Sequence, residues 1–198
     1  MKKGVKITAM DLTYMSMAVI LGGSSKSIRR KVGALIVDYA LDVPRIVCEG
    51  INGTKSGAHN LCEDYQTGKT LPSVIHAEVN ALNKLGRHGH DYGDKLVLYV
   101  TVKPCLDCTK KIIENGNINR IFYLFDYDTV SNECQQASQK MLEQAGIKVI
   151  QITKDIVESR LNVNFRDLNY TGILRSEGVD SEQIDALVVD KANSLFSI

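Results

Sequence analysis

The stretch LVLYVTVKPCLDC, residues 96–108, decides the architecture. Its first half, Leu96 to Val102, is β-rich and nearly unbroken in apolarity. A strand covered on one face alternates, whereas a continuous apolar run marks a central strand covered on both. Pro104 follows, and proline suits the first position of a helix, where its missing N–H is not needed. The pattern predicts a helix from there to about Asn115, stopped by Gly116. A buried strand that feeds a helix across a short junction is the seed of an α/β fold.

Toward the N-terminus, Val74 to Leu85 has helical spacing, with Ser73 as N-cap and Gly86 as stop. Val32 to Val37 and Arg45 to Ile51 read as a strand pair joined through Asp38 to Pro44. Leu12, Met15, Val19 and Ile20 are spaced as on a helix that Gly22-Gly23 ends. A polar loop runs from Asn52 to about Ser73, and loops of that length are often functional. Toward the C-terminus, Arg120 to Phe125 reads as a strand, Glu133 to Gln144 as a helix closed by Gly146, and Ile147 to Ile152 as a last strand. Helices and strands thus alternate, which predicts a three-layer α/β/α sandwich on a mixed five-stranded sheet. Residues 1–152 are expected to form this domain. Residues 153–198 are expected to pack on it or at an oligomer contact, with one helix over Ser181 to Phe196.

The chain has 198 residues, a one-domain length. Its 24 Lys and Arg against 23 Asp and Glu leave a net charge of +1, which argues against a dedicated polyanion binder. A local basic patch stays open. The five cysteines are odd in number and no signal-peptide pattern precedes them, so a reducing cytoplasm fits better than a disulfide framework. No apolar run reaches the roughly 18 residues that a membrane span needs.

His76-Ala77-Glu78 and Pro104-Cys105-Leu106-Asp107-Cys108 carry the chemistry. Cys105 and Cys108 are three apart, so one metal ion can take both sulfurs. Near a helix N-terminus, the free N–H groups and the helix dipole favour thiolates. Two Cys and one His suit tetrahedral Zn²⁺, with the fourth position left for water. Glu78, two residues from His76, need not bind the metal and is the candidate base. H-x-E followed by P-C-x-x-C is the pattern of zinc nucleobase deaminases.

The chain resembles the deoxycytidylate (dCMP) deaminases of the cytidine deaminase-like superfamily, including phage types. The residues that carry the resemblance are Val32-Gly33-Ala34, Asn52-Gly53-Thr54, Asn60, Cys62-Glu63-Asp64, His76 to Ala81, Tyr99-Val100-Thr101 and the Pro104 to Cys108 motif. The resemblance implies hydrolysis of the 4-amino group of dCMP to give dUMP and ammonia, for thymidylate synthesis. Glu78 would shuttle the protons, and Ala77 would admit the base to the metal. Asn52 would bond the deoxyribose, or serve only as a turn residue. Arg29 is the first choice for the phosphate, in a Ser27 to Lys31 stretch that also holds Arg30. Tyr127 would close over the substrate. Lys103 stands where the family commonly has Ser, and would bind phosphate or only change the polarity. Lys55 replaces the usual Pro. A second, structural zinc has candidate ligands in His59, Cys62, His88 and His90, which otherwise read as loop residues. Family members are often hexamers regulated by dCTP and dTTP, and Mg²⁺ would accompany such a triphosphate.

Two alternatives share parts of this pattern. A tRNA or single-stranded DNA deaminase would use the same zinc site, but needs cations and stacking aromatics along a groove. An aromatic content of 6% and the lack of Trp weigh against nucleic acid. A non-catalytic zinc-stabilised binding module would close the fourth metal position with a protein ligand.

Overall fold

Alternation along the central strands sorts their side chains between two cores. The computed structural model describes residues 6–40, 42–64, 66–87, 96–127 and 131–162. In chain order these form α1 (Ala9–Gly23), β1 (Gly33–Asp38), β2 (Arg45–Ile51), α2 (Ala77–Arg87), β3 (Leu96–Val102), α3 (Leu106–Asn115), β4 (Ile118–Phe125), α4 (Asn132–Gln144), β5 (Lys148–Gln151) and α5 (Lys154–Leu161). The sheet order is β2-β1-β3-β4-β5. β1 is antiparallel to both of its neighbours, while β3, β4 and β5 run parallel. Ala34, Ile36, Leu98, Val100 and Ile121 point to one face and pack with Ala81, Leu85, Ile112 and Leu142 of α2, α3 and α4. Leu35, Val37, Val97, Phe122 and Leu124 point to the other and pack with Met15, Ala18, Val19 and Val157 of α1 and α5. The expected three-layer sandwich on a mixed sheet is present. Each of the buried Leu, Ile, Val, Phe and Met side chains contributes about 1.5–3 kcal/mol relative to exposure.

Two glycines let helices lie close on the sheet. A Cβ on Gly33 would run into the Ala18 carbonyl oxygen of α1. One on Gly50 would run into the Ala77 carbonyl oxygen and come within 2.7 Å of the Ala81 nitrogen of α2.

Boundaries differ from the sequence expectation in instructive places. α2 begins at Ala77 rather than Val74, so Ser73 does not cap it and Gly86 lies inside it. The cause is tertiary. Ile75 bridges to Gly53, with Gly53 N donating to Ile75 O (3.1 Å) and Ile75 N to Gly53 O (2.8 Å). That pairing holds the chain out of the helix just before Ala77. α3 begins at Leu106 with Cys105 as its N-cap, so Pro104 precedes the cap and is not the first helical residue. Gly116 stops α3 in the left-handed conformation, φ 75°. Ile20, grouped with the buried face of α1 by spacing, is 50% exposed.

α5 has weak periodicity and was not anticipated. It packs on α1, with Val157 buried and Arg160 Nη2 donating to Thr13 Oγ1 (2.9 Å). The helix expected over Ser181 to Phe196 lies outside the described residues. No described helix is long and apolar enough to cross a membrane.

Candidate metal centre and active site

The ends of β2, β3 and β4 meet at one edge of the sheet, where Val102 pairs with Phe125 and Gly33 with Ile51. Loops beyond the carboxyl ends of strands are where α/β folds bind ligands. α2 and α3 both start at this edge. Asn80 Nδ2 donates to Ile51 O (2.7 Å) and ties α2 to the end of β2. Ser138 of α4 lies behind Cys105, bonded to Thr109 Oγ1 (2.6 Å) and to Pro104 O (3.4 Å).

These anchors bring three donors together. His76 Nδ1 lies 3.2 Å from Cys108 Sγ and 3.6 Å from Cys105 Sγ. All three ligand atoms lie within 4.8 Å of one another, the one such cluster among the described residues. With Zn–N near 2.0 Å and Zn–S near 2.3 Å, tetrahedral geometry requires N···S of about 3.5 Å. The donor set and its spacing therefore fit zinc. Interaction with Cys108 holds the Cys105 thiol down at about 4, while Cys105 beside it pushes Cys108 up. Contact with Cys105 raises His76 to about 9.

Glu78 is 4% exposed, and burial pushes its carboxyl above the usual range. It also contacts Cys108, so it stands beside the donors without being one of them. His76, Ala77 and Glu78 line a cleft with Arg30, Val32, Asn52, Thr70, Val102, Lys103 and Tyr127. The cleft encloses about 450 Å³, its mouth included.

The cleft brings together most of the residues picked from sequence. Asn52 is on the wall, but its amide is engaged. Val32 N donates to its Oδ1 (2.8 Å) and its Nδ2 donates to Arg30 O (2.7 Å). Lys103 has its Nζ 5.4 Å from the Tyr123 ring centre. Tyr127 lies under the Arg30 guanidinium at 5.7 Å, and burial raises its hydroxyl. The arginine on the wall is Arg30, whereas Arg29 reaches Thr70 Oγ1 (3.4 Å), and Thr70 is itself on the wall. Sequence reasoning assigned no role to Thr70 or to Glu63, whose carboxylate receives three donors from residues 27–29. Glu63 stands in a run that carries the resemblance, but its role has no local signal, because its partners are more than 30 residues away. His59 is exposed and its carbonyl accepts from Thr54 Oγ1 (2.6 Å), while Cys62 is buried. Neither joins a second ligand cluster among the described residues, and His88 and His90 lie outside them.

Zinc-dependent hydrolytic deaminases are the class that this arrangement defines. The family model described as the cytidine and deoxycytidylate deaminase zinc-binding region matches residues 8–125. The chain belongs to that family. It is 30% identical over 190 residues to ComE operon protein 2 of Bacillus subtilis, covering 93% of this chain and 94% of that protein. It is 30% identical over 151 residues to the deoxycytidylate deaminase of Saccharomyces cerevisiae, covering 72% of this chain and 45% of that protein. The dCMP deaminase of cyanophage S-TIM5, solved in complex with dCMP and dUMP, superimposes with a TM-score of 0.63 at 31% identity. That match covers 75% of this chain and all of the phage chain (100%).

Proposed function

We propose that the cleft deaminates dCMP to dUMP and ammonia. One observation carries this: a buried carboxyl, Glu78, stands beside three zinc donors on the wall of a cleft that also holds Arg30 and Lys103. Pyrimidine chemistry needs the first part, and a phosphate needs cations. The likeness to a phage dCMP deaminase solved with dCMP and dUMP supports the choice.

His76, Cys105 and Cys108 would hold the metal. Zinc there supplies Lewis acidity that brings the pKa of water toward neutrality. Two thiolates offset much of the metal charge, so a base is still needed. Glu78 takes a proton from the attacking water and delivers it to N3 of cytosine as the C4–O bond forms. Glu78 next carries the remaining hydroxyl proton to the 4-amino nitrogen. The C4–N bond then breaks, ammonia leaves and the C4 carbonyl remains. The raised pKa of Glu78 suits a group that must both accept and return protons. Ala77 leaves room for the ring, and Asn52 has one amide hydrogen left for the sugar.

Ammonia release from cytidine, dCMP, dCTP and an oligonucleotide tests the substrate. Highest kcat/KM on dCMP is expected, and preferred turnover of any other member overturns the choice. The same proposal includes dUMP supply for thymidylate synthesis, a cytoplasmic location and a hexamer. It also includes activation by dCTP and inhibition by dTTP, with Mg²⁺, through the loop around Asn52 to Asp64. Light scattering and rates with each triphosphate test the assembly and the regulation. Zinc analysis counts the sites: two ions per chain would support a second one, with His59, Cys62, His88 and His90 as its candidate ligands.

A further inference from the structure

Residues 25–32 form neither helix nor strand, yet their backbone is held by side chains from several places. Ser27 N donates to Ser25 Oγ (3.2 Å) and Arg30 N to Ser27 Oγ (3.3 Å). The Glu63 carboxylate holds the middle of the segment. Its Oε1 accepts from Ser27 Oγ (2.5 Å) and Arg29 N (3.0 Å), and its Oε2 accepts from Ile28 N (3.2 Å). Glu63 is 3% exposed and is fixed by its bridge to Thr70. A carboxylate buried this deeply is tolerated only when donors satisfy it. Here all three donors come from the turn that carries Arg29 and Arg30.

Glu63 lies behind the cleft wall, while Arg30 is on the wall and Arg29 reaches Thr70 on it. We infer that Glu63 is a positioning residue for phosphate recognition, folding residues 27–30 into the shape that aims their two guanidinium groups at the substrate's phosphate. The inference rests on the assignment of a nucleoside monophosphate to the cleft. Glu63 acts through the turn and does not touch the substrate. Both of its oxygens act as acceptors here. A glutamine would turn an amide NH₂ toward the Ile28 or the Arg29 N–H, setting donor against donor.

Glu63→Gln is compared with the wild type on dCMP and on deoxycytidine, which lacks the phosphate, with zinc content and thermal unfolding measured alongside. The expected result is a KM for dCMP raised about tenfold, the size of one lost charge-assisted hydrogen bond. The kcat, the zinc content and kcat/KM on deoxycytidine should be unchanged. An unchanged KM, or an equal loss on both substrates, overturns the inference. If Glu63→Gln does not fold, Ser27→Ala, which removes one donor to the carboxylate together with the acceptor of the Arg30 N–H, is judged by the same readouts. Wild-type protein that fails to turn over dCMP instead overturns the substrate assignment, so the two failures are distinguishable.

Discussion

Glu78 and Asn52 show how differently two polar residues can face one cleft. Glu78 stands beside Cys108 and is held high by burial, which suits it to the proton transfer proposed for it. Replacing it by Gln keeps its volume and the three donors. Zinc content should be retained, and deamination should fall by three or more orders of magnitude, about the upper range for a general acid–base. Ammonia release and metal analysis on one sample check this, and retained activity would remove Glu78 from the mechanism. Asn52 is a clamp as well as a wall residue, because it bonds the backbone at Arg30 and Val32. Asn52→Ala should lower stability by about 1–3 kcal/mol, since two half-buried backbone partners lose their bonds. It should also raise KM for dCMP; denaturant unfolding and steady-state kinetics measure the two effects.

At the scale of elements, the site depends on how closely helices approach strands. Gly50 lets α2 lie on β2, and the residue it meets is Ala77, between His76 and Glu78. Gly33 does the same for α1 on β1, with Ala18 and Gly22 opposite, on the face away from the donors. Both Gly→Ala variants should be destabilised by about 1–3 kcal/mol through overpacking. Their consequences for the site should differ. Gly50→Ala should lose zinc and activity along with stability, whereas Gly33→Ala should keep its zinc at temperatures where it is folded. Equal zinc loss in both would mean that α2 is not positioned through Gly50. The polar ties of α1 run to the same rear face: Tyr99 OH donates to Asp11 Oδ1 (2.6 Å), and Tyr39 OH lies 2.8 Å from Tyr99 OH.

For the whole molecule, the metal joins elements that the chain keeps apart. His76 precedes α2 and the cysteines open α3, so an ion held by all three staples two helix starts together. Ligand at a thousand times its Kd adds about 4 kcal/mol to stability. For a chain of this size that corresponds to a Tm change on the order of 10 °C. Chelation should lower Tm by about that much and abolish deamination, and added Zn²⁺ should restore both. A Tm indifferent to chelator would argue that the cage forms no bond strong enough to matter to the fold. α5 extends the rear layer rather than the front, since it packs on α1 and the donors are on the opposite face.

The donors, Glu78 and the sheet were legible in one dimension. Apolar runs such as Leu96 to Val102 report burial on both faces, and H-x-E with P-C-x-x-C reports chemistry that few other requirements produce. Gly116 and Gly146 were legible as stops, and both have positive φ. Legibility failed where the partner is remote. The start of α2 is delayed by Gly53, more than 20 residues upstream of Ile75, through a bridge that no local propensity encodes. Arg30, not Arg29, lines the cleft because Glu63, Ser27 and Asn52 set the turn between them. By itself the sequence determined the layers and singled out the candidate donors and Glu78, because each depends on local periodicity or on spacing within a few residues. Only the tertiary structure decided which arginine lines the cleft and what holds its backbone there, because irregular backbone takes its shape from hydrogen bonds to distant side chains.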